Sequence, residues 1–139
     1  MVGDVFVDSS GLYALADRRD PFQPEAARVV TGLAKGNGRL ILTDYILDEA
    51  ATLAKVRGGG HAALRLLEIV ERSAGFEFVW IGPERSGVAR KFFGKHAGHG
   101  YSFTDCTSFV VMKELRLTDA LTTDRRFVEA GFKALLPTR

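Results

Sequence analysis

Short apolar runs recur along this chain, each separated from the next by enough residues for one or two helices. That alternation limits the fold more than any other feature. Val5-Phe6-Val7, Leu40-Ile41-Leu42, Phe76 to Ile81 and Ala120 to Thr123 read as strands, with Phe132 to Leu136 as a fifth candidate. Helical patterns fill the gaps: Gly11 to Asp17, Glu25 to Lys35, Thr43 to about Arg57, and His61 to about Arg72. A further helix opens at Pro83 and runs through Phe93, another spans Phe103 to Leu115, and a short one surrounds Phe127 to Ala130. Parallel strands cannot be joined by a tight hairpin and need a crossover, usually a helix. The pattern therefore predicts an α/β fold, one domain over residues 1–139, with a roughly five-stranded parallel sheet flanked by helices on both faces. In such sheets ligands bind beyond the carboxyl ends of the strands.

Composition agrees. With 139 residues, 46% of them hydrophobic, the chain can bury a core without staples. It carries no internal repeat and no low-complexity linker. Its one cysteine, Cys106, excludes an internal disulfide or a cysteine-based zinc cluster. The opening Met1-Val2-Gly3-Asp4 lacks the pattern of a signal peptide, and no apolar run approaches the length of a membrane span. The expectation is a cytoplasmic protein with no membrane partner. A net charge of +2 permits nucleic acid as a partner without demanding it.

Four acids occupy unusual places. Asp8 directly follows the first strand and Asp124 the fourth, so parallel strands would deliver both carboxylates to one sheet edge. Either alone could be a turn former or a helix cap. At 100° per residue, Glu49 falls between Leu53 and Val56 on the stripe with Tyr45 and Ile46, whereas Asp44 and Asp48 share a solvated face with Lys55. A buried carboxylate is costly unless paired or bound to a metal. Glu49 could also reach water past the helix edge, or pair with a buried arginine. Asp105 projects between Phe109 and Met112, yet Ser102-Phe103-Thr104-Asp105 also matches a capping box. Four converging carboxylates would repel one another unless protonated or bridged by a cation. An oxygen-only set favours Mg²⁺ or Mn²⁺ over zinc, as one or two ions, and suits phosphodiester hydrolysis.

The segments that carry these acids resemble the motifs of PIN-domain nucleases, particularly the VapC-type toxin ribonucleases. The matching stretches are Val5-Phe6-Val7-Asp8-Ser9-Ser10, Thr43 to Glu49, Ser102-Phe103-Thr104-Asp105-Cys106, and Leu121 to Phe127 with Gly131-Phe132. The resemblance implies a five-stranded parallel sheet and an endoribonuclease dependent on Mg²⁺ or Mn²⁺. It implies that Asp8 and Asp105 are the most direct metal ligands and that Glu49 and Asp124 complete the acidic cluster. Ser9, Thr104 and Thr123 would orient ligands or water. It further implies a homodimer and a small antitoxin partner.

Other features compete for attention. His96-Ala97-Gly98-His99 has the look of a metal site but lacks a third nitrogen or sulfur ligand in sequence; a phosphate-touching or merely solvated loop are the alternatives. Arg90, Lys91 and Lys95 interleave with Phe92 and Phe93, a pattern suited to single-stranded RNA or simply to an amphipathic helix. Arg125 and Arg126, beside Asp124, are placed for phosphate contact or for the surface. Cys106 reads as buried packing. A receiver-like phosphoacceptor would need paired acids at the first strand and a late lysine, and an aspartyl phosphatase a second acid where Ser10 stands. Neither pattern is present. An RNA-maturing nuclease outside any toxin system, or a binding module with structural acids, stays open.

Overall fold

The computed structural model describes residues 3–139; Met1 and Val2, part of the segment read for a leader, lie outside the described residues. Five strands form one sheet in the order β3-β2-β1-β4-β5, every neighbouring pair parallel. They are β1 (Val5–Val7), β2 (Leu40–Thr43), β3 (Phe76–Val79), β4 (Asp119–Leu121) and β5 (Lys133–Ala134). The helices are α1 (Ser9–Ala16), α2 (Gln23–Lys35), α3 (Asp44–Gly58), α4 (Gly60–Arg72), α5 (Gly82–Lys95), α6 (Phe103–Glu114) and α7 (Arg126–Glu129). The expected α/β architecture is observed.

Strand order decides where the helices lie. From β1 the chain steps outward through β2 to β3, then returns across the sheet to β4 and β5. Parallel crossovers are right-handed, so reversing the direction of travel moves the connecting helices to the opposite face. Accordingly α1, α2, α3 and α4 pack among themselves, and α5 packs on α6. A forked ion pair ties α5 to α6: Arg85 Nε and Nη2 donate to the Glu114 carboxylate at 3.0 and 2.6 Å. The central strands β1 and β2 are fully buried, whereas the edge strand β3 is half-buried throughout.

Several boundaries differ from the sequence reading. The third strand stops at Val79, because the Ile81 amide donates to Asp44 Oδ1 at 2.9 Å and turns the chain into α5. Asp44 therefore braces a strand end instead of facing solvent with Lys55. The fourth strand stops at Leu121, short of Thr122 and Thr123, and the fifth is only two residues long. The first helix begins at Ser9, directly after Asp8. That close junction demands Gly11, where a Cβ would collide with the Leu121 carbonyl.

Candidate active site

Asp8 leaves β1 and Asp124 follows β4, and these adjacent parallel strands deliver both to one edge of the sheet. The chain diverges here, β1 leading to one side and β4 to the other, the switch point where an open α/β sheet forms its crevice. Asp8 occupies the N-cap position of α1, where the unpaired amides of a helix start favour an anion. It is only 4% exposed. Thr122 Oγ1 donates to Asp8 Oδ2 at 2.8 Å and Ser10 Oγ at 3.1 Å. Those same hydroxyls accept from the amides of Asp124 and Thr123, each at 3.0 Å. Two hydroxyls thus lock the two strand exits together. Asp124 Oδ1 accepts the Arg126 amide at 2.9 Å, and its Oδ2 faces the Arg126 guanidinium at 3.4 Å.

Glu49 comes from the second turn of α3, whose start is capped by Thr43 Oγ1 accepting from the Ile46 amide. Ile46, Ala50 and Ala54 form the buried face of α3, and Val56 is 79% exposed. Glu49 therefore stands at the margin of that face instead of between two buried residues, and it reaches the cleft edge half-buried. Ser9 Oγ holds it there, donating to Oε1 at 2.5 Å. Asp105 lies in the first turn of α6, 6% exposed, with Phe109 and Met112 buried beside it as expected. The capping box is also real: the Ser102 amide donates to Asp105 Oδ2 at 2.9 Å, and the Asp105 amide to Ser102 Oγ at 3.0 Å.

All four acids line one cleft of ≈ 410 Å³. Burial pushes Asp8 up to about 7, Glu49 adding to the rise while bonds from Thr122 and the Ser9 amide oppose it. Asp105 is likewise raised, first by burial and then by the charges of Asp124 and Glu49, against the Ser102 hydrogen bond and Arg126. The acids thus feel one another across the cleft.

The model of the PIN domain matches residues 5–133. The chain belongs to the PIN-domain family. VapC20 of Mycobacterium tuberculosis, a 23S rRNA-specific endonuclease, is 29% identical over 133 residues, covering 96% of this chain and 98% of that protein. A VapC ribonuclease of Archaeoglobus fulgidus is 28% identical over 123 residues, 87% and 77% of the two chains. The crystal structure of VapC20, described as a sarcin–ricin loop cleaving toxin, superposes with a TM-score of 0.82 at 27% identity, covering 96% of this chain and all of that one. VapBC2 of Rickettsia felis, solved with a promoter DNA fragment, shares the fold at a TM-score of 0.68 and 12% identity.

In this PIN domain the donors suit a hard divalent cation, being four carboxylates with serine and threonine hydroxyls. Asp8 fits on a second ground: among the described residues no lysine or arginine pairs with this nearly buried carboxylate. Among the described residues no three acids, histidines or cysteines stand close enough together to hold a metal ion among them. Mg²⁺ asks for fewer protein ligands, since it binds through one or two carboxylates and keeps several waters.

The other expected residues divide. Ser9, Thr123 and Arg126 line the cleft. Thr104 does not; it borders a neighbouring depression with Tyr45, Asp48 and Thr52, to which Glu49 also contributes. Arg125 points away, 4.0 Å from Glu129. Arg90, Lys91 and Lys95 are exposed on α5, outside the cleft, and Phe92 packs on the core as an amphipathic helix requires. His96 stacks on Phe92 and His99 on Tyr101, so the histidine loop closes an aromatic cluster. Cys106 is buried, its thiol pushed up to about 11 by desolvation. The sequence reading missed Ser10 and Thr122, short polar residues easily taken for turn formers. It also missed Arg57 and Arg139. Arg57 was within reach, because Glu49, Leu53 and Arg57 are spaced by four and share a helix face.

Proposed function

We propose that this chain is an endoribonuclease dependent on Mg²⁺ or Mn²⁺, hydrolysing RNA phosphodiester bonds. One observation carries the reading: four segments far apart in sequence bring Asp8, Glu49, Asp105 and Asp124 to one cleft at the switch point of the sheet. Asp8 and Asp105 would hold the ion most directly, with Glu49 and Asp124 completing a site for one or two ions. Once bound, a divalent ion supplies Lewis-acid polarisation of the phosphate and lowers the pKa of water. The chain's own residues supply position. Ser10 and Thr122 fix the Asp8 carboxylate, Ser9 fixes Glu49, and the capping box fixes Asp105.

The test is cleavage of an RNA hairpin carrying the sarcin–ricin loop, and of total RNA, with Mn²⁺ or with EDTA. Wild type with Mn²⁺ should cut; EDTA, Asp8→Asn and Asp105→Asn should each reduce cutting by a factor of ~100 or more. Equal cutting in all arms would end the metal mechanism, and no cutting of any RNA would favour structural acids. The description of VapC20 as a toxin supports a toxin role; on the VapC resemblance we extend the proposal to a small antitoxin partner, a homodimer and action in the cytoplasm. An antitoxin gene beside this one, and rescue of growth by its product, would separate that role from RNA maturation.

A further inference from the structure

The cleft that holds the four acids also carries two arginines that pair with none of them. Arg57 and Arg139 both line the cleft, and among the described residues neither makes an ion pair. Each instead lies over an aromatic ring: the Arg57 guanidinium is 5.1 Å from the Tyr13 ring centre, and that of Arg139 is 5.6 Å from Phe22. A ring face attracts a cation and fixes the plane of the guanidinium while leaving its N–H edge free to donate.

Their placement is tied to the acids by the same helix pair. On α1, Ser9 and Tyr13 are one turn apart; on α3, Glu49 and Arg57 are two turns apart on one face. Ser9 holds Glu49 and Tyr13 holds Arg57, so one helix interface sets both the acid and the cation. The rise along α3 separates their backbone positions by ~12 Å, so the two side chains meet different points on a strand laid in the cleft. Arg139 is fixed from the other side, its amide donating to the Thr123 carbonyl at 3.0 Å, one residue from Asp124. Phe22 also lines the cleft, half-buried, with its amide held by Asp20 Oδ1 at 2.8 Å.

We infer that Arg57 and Arg139 form a phosphate clamp that grips an unpaired RNA strand on either side of the nucleotide presented to the acids. The clamp rests on the nuclease reading for its role in cleavage, but its binding can be measured separately. Two arginines with flat aromatic backing, set in a cleft and not along a broad ridge, suit a single strand better than a duplex.

The experiment measures binding of a fluorescein-labelled single-stranded RNA to the Asp8→Asn protein by anisotropy over a range of salt concentrations. Single-stranded DNA, duplex RNA and duplex DNA are parallel arms. Arg57→Gln and Arg139→Gln should each weaken RNA binding about threefold or more, and each should make the dependence of log K on log salt shallower by ~0.7. Arg57→Lys should keep the salt slope but not the full affinity. Arg90→Gln, on exposed α5, serves as a control and should change neither. In the otherwise wild-type enzyme the two glutamine variants should raise KM with kcat within about twofold. Unchanged affinity and slope in the double variant would overturn the clamp, as would tighter binding of a duplex. Loss of binding together with absence of cleavage by the wild type would keep the clamp and remove the nuclease. Melting curves of each variant guard against misfolding as the cause of lost binding.

Discussion

Asp8 concentrates the electrostatics of the molecule into one carboxyl group. Its ordinary value is 3.8, and in the folded chain burial pushes it up to about 7. Between those values the folded state keeps a proton that the unfolded state has lost, so stability falls as pH rises through this window. Asp17 and Glu114 are shifted the other way, held low by the Tyr13 hydroxyl and by Arg85. They act at more acid pH, whereas Asp105, also raised by burial, adds to the fall in the same direction. In EDTA the wild type should therefore melt at a lower temperature at about pH 7.5 than at about pH 5, and Asp8→Asn should flatten this slope. At neutral pH the same substitution should stabilise the metal-free protein by about 1 kcal/mol or more, some 3 °C in Tm, while abolishing cleavage. Thermal melts across pH would show it, and a destabilised Asp8→Asn would mark the carboxylate as structural. Asp105 has two duties, so its substitutions should separate them. Asp105→Asn keeps an oxygen for the Ser102 amide and should lose activity with the fold intact. Asp105→Ala should lose activity and an additional ~1 kcal/mol of stability through the broken cap.

Helix junctions set how accurately the acids are aimed. Helix α1 starts one residue after β1 and passes so close to β4 that Gly11 has no room for a Cβ beside the Leu121 carbonyl. Gly11→Ala should cost about 1–3 kcal/mol, since α1 must lift off the strand. Lifting α1 also moves Ser9 and Ser10, so cleavage should fall by more than the stability loss explains; urea melts paired with activity at low denaturant would reveal this. Thr43 ends β2 and caps α3, and Thr43→Ala should cost about 1–2 kcal/mol. In contrast, the Ser108 hydroxyl on α6 is buried with no partner among the described residues. Removing a polar atom that burial leaves unsatisfied relieves its desolvation cost, so Ser108→Ala should stabilise by about 1 kcal/mol without affecting activity. A loss of stability would mean that this hydroxyl has a partner in solution.

Across the entire domain, the acids and the fold are linked through ligand binding. Any ion that binds the folded cleft and not the unfolded chain raises Tm with its concentration. Mn²⁺ at ~100 times its Kd should stabilise the wild type by about 2.7 kcal/mol, and Asp8→Asn should lose most of that response. Calorimetric titration and melts with Mn²⁺ check both, and an equal Tm shift in the two proteins would place the ion elsewhere.

Much of this was legible from residue order. Short apolar runs alternating with helical periods specify a parallel α/β sheet, because hydrogen bonding and burial act along each element and leave a periodic trace. Asp8 and Asp124 were visible for the same reason: a residue after a parallel strand must lie on the carboxyl edge. Spatial meetings between distant segments leave no such trace. Thr122 and Ser10 act on Asp8 only because β1 and β4 are neighbours. Glu49 lies at a helix margin, and Val56 beyond it in solvent, because the packing of α1 and α4 on α3 determines how much of that helix is covered. Arg57 and Arg139 come to line the cleft only once tertiary packing has set Tyr13 and Phe22 beneath them.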